Sequence, residues 1–130
     1  MTFAEVLKAR TADFALAVIR FCAALPPTPG VRRIADQLFD AGTSVGANYR
    51  ATCRARSKKE FIAKIGLVIE EADESEYWLM LLKRAGLANG AEVDRLFDEA
   101  GQLVAVFTRS QKTAISNLEK ERLAKKHKQC

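Results

Sequence analysis

The chain has 130 residues, one domain's worth with a single core, and 48% apolar content with only three prolines excludes both a disordered chain and a turn-rich β protein. Twenty-one Lys and Arg against sixteen Asp and Glu leave a net charge of +5, a balance that admits polyanions as partners. No apolar run approaches the roughly 18 residues that span a bilayer, and the opening MTFAEVLKAR carries an acid where a secretory leader is apolar, so the expected location is cytoplasmic with no membrane partner.

Residues 3–25 place Leu7, Phe14, Val18, Phe21 and Leu25 on one side of a helix. The stretch PPTPG at 26–30 ends it, because proline lacks the amide hydrogen and clashes with the preceding turn. A second helix to about residue 54 carries Val31, Ile34, Leu38, Ala41, Val45 and Tyr49 on one stripe. Ser57-Lys58-Lys59-Glu60 has capping-box spacing and predicts a third helix from 58 to about 86, with Phe61, Ile65, Val68, Ala72, Leu79 and Leu82 inward. GLANG at 86–90 offers a glycine exit and Asn89 as the next cap. The fourth segment runs through Val93, Leu96, Phe97, Ala100, Leu103, Val104, Phe107, Ala114 and Leu118. Four long helices with short connections predict an all-α, antiparallel up-and-down four-helix bundle over residues 1–119. Residues 120–130, KERLAKKHKQC, lose the apolar period and are expected to form a disordered basic tail.

The third helix has more apolar surface than one bundle uses. Leu67, Trp78 and Leu81 point away from the Ile65–Ala72–Leu79 stripe at 100° per residue, and monomers rarely leave such a patch wet. Self-association is the expected outcome, with Glu70, Glu71 and Glu74 on the same outer side. On the second helix, Phe39, Gly42 and Gly46 lie together beside Ala35 and Cys53. Two glycines four apart mark a close helix approach, either between subunits or inside the bundle.

Charge is divided along the chain. Residues 1–64 hold eleven Lys and Arg against five acids, 65–119 five against ten, and 120–130 five against one. The basic part concentrates at the joint between the second and third helices. Arg50 and Arg54 sit one turn apart on an outer face, and Lys58 and Lys59 occupy a first helical turn, where acids are the usual choice. With Arg56 and Lys64 beside them, these six form the candidate nucleic-acid or anion surface. The competing fate is neutralisation of a neighbouring subunit's Glu70, Glu71 and Glu74 by these arginines.

Catalytic readings are poorly supplied. The only histidine, His127, lies in the tail, which removes most nucleophile–base pairs and the Glu-x-x-His pattern of di-metal bundles. No Gly-rich phosphate loop occurs. Glu70 and Glu74 share a face, leaving a carboxylate–metal nuclease as a third reading. Cys22, Cys53 and Cys130 have neither metal-ligand spacing nor an even count; the first two read as buried thiols and the third as exposed. The expectation is therefore no enzyme, no cofactor and no metal.

Residues 37–82, QLFDAGTSVGANYRATCRARSKKEFIAKIGLVIEEADESEYWLMLL, resemble the four helix bundle protein family, also called 23S rRNA intervening-sequence or S23-like proteins. The likeness is to a branch with the pattern GTSVGANYREA, then SKxEFIxKL, then KEAxExxYWLxLL. Among the matching positions are Gly42, Ser44, Asn48, Tyr49, Arg50, Ser57, Lys58, Phe61, Glu71, Glu74, Tyr77 and Trp78, with weaker likeness over about 5–118. The resemblance implies an up-and-down bundle assembled as a homopentameric ring. It also implies kinship to the accessory variability determinant of diversity-generating retroelements, a basic barrel that contacts nucleic acid and a reverse transcriptase. Gly46 stands where many members have proline, and Ala51 and Thr52 stand where the branch carries an acid after ANYR. The functional expectation is a non-enzymatic homo-oligomer that binds RNA or DNA weakly and without sequence preference; the alternative is a structural adaptor ring for a protein partner.

Overall fold

The computed structural model describes the backbone of residues 1–129 and the side chains through Lys128. Four helices follow in order: α1 (Phe3–Ala24), α2 (Pro29–Thr52), α3 (Lys58–Arg84) and α4 (Ala91–Gln129). Among the described residues there is no strand. Each helix packs against its neighbours in sequence, and α4 returns to α1 over a short seam, which is the up-and-down four-helix bundle.

Local chemistry sets the boundaries. At the start of α1, Glu5 N donates to Thr2 Oγ1 and Thr2 N donates to Glu5 Oε2, both at 3.1 Å, a complete capping box that satisfies two otherwise orphaned amides. Leu25 leaves α1 in an extended conformation, and Pro29 opens α2, where a missing amide hydrogen costs nothing. At α3 only half of the expected box forms. Glu60 N donates to Ser57 Oγ at 3.0 Å, but the Glu60 carboxylate turns instead to Lys64 and Arg56. Gly86, at φ 72°, ends α3 with Leu87 N donating to Leu82 O and Gly86 N to Lys83 O, the paired bonds of a Schellman turn. Gly90, at φ 105°, immediately precedes α4, so Asn89 sits one residue too early to serve as its cap.

The core joins Leu7, Phe14 and Val18 of α1 to Leu38, Val45 and Tyr49 of α2. From α3 come Ile65, Val68, Ala72, Leu79 and Leu82, and from α4 Val93, Leu96, Ala100, Leu103 and Phe107. Phe97, assigned inward by its spacing, is exposed; Leu96 takes the inward direction, and the next residue points 100° away.

Two expectations are corrected. Gly42 and Gly46 face α1 inside the chain rather than outward: both are buried, and a Cβ at Gly42 would lie 2.9 Å from Val18 Cγ1 and Cγ2, one at Gly46 3.1 Å from Thr11 Oγ1. They let α1 approach α2 within the chain. The basic tail is also not disordered through Gln129, because α4 continues to that residue. Extending an established helix is far easier than nucleating one, and Lys126, His127 and Lys128 in the last turn complement the negative end of its dipole. The loss of apolar period at 119 appears instead as exposure of every side chain from Glu119 to Lys128. Cys130 lies outside the described residues. None of the described helices is long and apolar enough to cross a membrane.

Candidate nucleic-acid interface

The joint between α2 and α3 is tight. Thr52 is buried, its hydroxyl donating to Asn48 O at 2.8 Å, and Arg54 N and Ala55 N donate back to Ala51 O and Thr52 O. The chain therefore turns around Thr52 and leaves Arg50, Arg54, Arg56, Lys58 and Lys59 exposed, with Lys64 half-buried nearly two turns into α3.

Half of these six cations are paired locally, the three sharing two carboxylates. Glu60 takes Lys64 at 3.1 Å and Arg56 at 3.6 Å, and Lys58 pairs with Glu121 of α4. The hydrogen bond from Lys64, followed by the charges of Lys64 and Arg56, holds the Glu60 carboxyl below its ordinary range. Among the described residues, Arg50, Arg54 and Lys59 have no ion-pair partner.

The Lys58–Glu121 pair marks where α4 passes the joint. Residues 122–129 run past the joint, a projection of about 12 Å at 1.5 Å per residue, and bring Arg122, Lys125, Lys126 and Lys128 to the same end of the bundle as Arg54 and Lys59. Sequence separation of some sixty residues hid this convergence; a helical rather than disordered reading of 120–129 was the signal that would have found it.

Beside the joint lie two adjoining depressions of about 660 and 580 Å³. Phe3 and Phe61 line both, Tyr49 and Ile65 belong to the first, Val106 to the second, and Arg56, Lys58 and Arg109 stand along them. Phe3 is 65% exposed. Neither Phe3 nor Arg109 was singled out from sequence, since each joins the site only through the return of α1 and α4.

The outer side of α3 is acidic. Glu70 and Glu74 are exposed and Glu71 half-buried, its carboxyl raised above the ordinary value by burial first, then by Glu74, Glu70 and Asp40. A 430 Å³ cleft there is lined by Glu70, Asp73, Glu74 and Glu76 with Tyr77 and Phe97. Leu67 is 52% exposed, as its spacing predicts, but Trp78 and Leu81 are half-buried and Tyr77, 50% exposed, takes the outward position. Trp78 leans back to pack on the core, its Nε1 donating to Glu74 Oε1 at 3.1 Å and its ring meeting Tyr77 edge-on at 5.2 Å. Phe39 is exposed on α2, over a groove toward Ile19 of α1.

Among the described residues, no three His, Cys, Asp or Glu side chains are grouped to hold a metal ion. Cys22 and Cys53 are half-buried free thiols rather than fully buried ones. Burial, then the charge of Asp36, pushes the Cys22 thiol up to about 11, which leaves little thiolate for nucleophilic work.

The family model for the 23S rRNA-intervening sequence protein matches residues 6–109. The chain belongs to that family. The match spans the joint and the acidic side of α3 but stops before the last twenty described residues of α4. A solved relative is the crystal structure, at 1.70 Å, of a protein with unknown function from the S23 ribosomal protein family of Bacteroides thetaiotaomicron VPI-5482. It is 27% identical to this chain, and the similarity covers 84% of this chain and 97% of that one with a TM-score of 0.77. None of the curated proteins matches.

Proposed function

We propose that this member of the 23S rRNA-intervening sequence protein family is a cytoplasmic, non-enzymatic homo-oligomer whose basic end binds RNA or DNA through backbone phosphates, weakly and with no sequence preference. The observation that carries the reading is the convergence of the unpaired Arg50, Arg54 and Lys59 with the cations of the α4 projection at one end of the molecule. Phosphates replace water around such side chains and release the counterions condensed on the nucleic acid, so affinity falls steeply with salt. The rRNA setting in the family's name supports the same reading. The self-association part rests on the exposed Leu67 and Tyr77 beside Glu70, Glu71 and Glu74, which among the described residues have no ion-pair partner.

A filter-binding titration of labelled RNA at two salt concentrations tests it. The expected result is weaker retention at high salt and a shallower salt slope once Arg50, Arg54 and Lys59 are changed to Ala. Retention that ignores salt, or none at the lower concentration, rejects the proposal.

A further inference from the structure

We propose that the depressions beside the joint form a stacking cleft for an unpaired nucleobase, so that the protein prefers single-stranded to duplex nucleic acid. This rests on the reading that the basic end takes phosphates and adds a site for the base beside them.

Phe3 is the first residue of α1, contributes nothing to the core cluster, and presents most of its ring to solvent as a wall common to both depressions. Phe61, half-buried, lines the same two depressions from α3. Each depression lies within the roughly 300–1,000 Å³ range of small-ligand pockets. Cations bracket this apolar floor: Arg56 belongs to the first depression, Arg109 to the second, and Lys58 to both. An aromatic wall between cationic rims matches a strand whose phosphates follow the rim while a base turns inward. Duplex bases are already stacked on one another and offer only their edges, whereas an unpaired base has a free face, and every base has one. The pairing of Lys58 with Glu121 does not close the cleft, because both side chains are about half exposed and such surface pairs are weak enough to be exchanged for a phosphate.

Fluorescence anisotropy with a labelled single-stranded oligouridylate, a labelled oligoadenylate and an RNA duplex of equal length tests this on the full chain. Both single strands are expected to bind more tightly than the duplex. Phe3→Ala should weaken single-strand binding roughly 5- to 150-fold, the range that base–aromatic stacking supplies, with duplex binding unchanged, and Phe3→Tyr should keep most of it. Competition by uridine monophosphate would support a cleft that holds base and phosphate together. Equal affinity for duplex and single strand, or an unchanged Phe3→Ala, overturns the cleft. If the Arg50, Arg54 and Lys59 variant then weakens both forms, the phosphate reading survives without it; if the unaltered protein binds neither, both fall. Sedimentation of Phe3→Ala supplies the remaining control: a fall in particle mass accompanying the lost affinity makes Phe3 a subunit contact and overturns the proposal.

Discussion

Val18 and Gly42 meet so closely that a single methyl group on the glycine would lie 2.9 Å from both γ-carbons of the valine. Val18 is fully buried and β-branched, so it has one favoured rotamer and little room to yield. Gly42→Ala gains helix propensity of about 1 kcal/mol but loses about 1–3 kcal/mol to overpacking, and a net loss of stability is expected in chemical denaturation. Adding Val18→Ala should make the double variant more stable than the sum of the two single effects implies. Gly66 is the contrasting case. Its Cβ would meet only Gln111 Nε2 at 3.4 Å, so Gly66→Ala should stabilise by about 0.5–1 kcal/mol.

The short seam between α1 and α4 carries an ion pair, Arg10 with Glu99. Arg10 donates from Nε to Glu99 Oε2 at 2.9 Å and from Nη2 to Glu99 Oε1 at 2.6 Å, with Gln102 Oε1 at 3.0 Å. The hydrogen bond to Glu99 raises the Arg10 pKa further above its ordinary value. Both side chains are partly buried, and Glu99→Gln should cost about 1 kcal/mol. Denaturation midpoints measured at about 0.05 M and about 1 M salt, where screening is weak and strong respectively, should show the gap between variant and parent narrowing as salt rises.

Glu71 predicts a pH effect of definite sign. Burial, Glu74, Glu70 and Asp40 raise its carboxyl in the folded chain above the ordinary value, so between the two values the folded state holds more protons than the unfolded one. Stability contributed by this group is present below the ordinary value and is lost as pH rises through the raised one. Glu71→Gln should therefore raise the melting temperature at pH 7 and flatten the part of the pH profile just above the ordinary carboxylate range. Glu60 acts in the opposite sense: its lowered carboxyl favours the fold at neutral pH and loses that contribution on acidification.

Leu67 and Tyr77 bear on self-association. Leu67→Asp adds charge to an exposed position and touches no core residue's place, so its fold should persist while particle mass in analytical ultracentrifugation falls to that of one chain. An unchanged mass, with the unaltered protein already a monomer, would remove the oligomer from the proposed function.

Periodicity made the helices and most of the core legible, because an inward stripe such as Ile65, Val68, Ala72, Leu79 and Leu82 is a property of spacing alone. The exit at Gly86 was legible for a similar reason: a left-handed residue admits few alternatives. Spacing could not say which of two adjacent apolar residues turns inward, and so it misplaced Phe97 and overstated the outward lean of Trp78 and Leu81. Nor could it separate a glycine needed by α1 from one needed by another subunit, since Gly42 and Gly46 look the same in either role. At the basic end, the joint cations were visible as a local cluster, but their partners were not. Glu121 reaches Lys58, and Phe3 and Arg109 reach the same depressions, only through the antiparallel return of distant helices.

Because α4 leaves the bundle without a break, the directions of Arg122, Lys125, Lys126 and Lys128 are geared to the seating of Phe107 and Leu103 several turns earlier. Inserting one alanine between Leu118 and Glu119 would swing all four by 100° about the axis, and Glu121 with them away from Lys58, while leaving net charge and every packed side chain as they were. The compass bearing of that positive spike is thus inherited from the greasy interior, and a swap of cations for cations would preserve it where a shift in register would not.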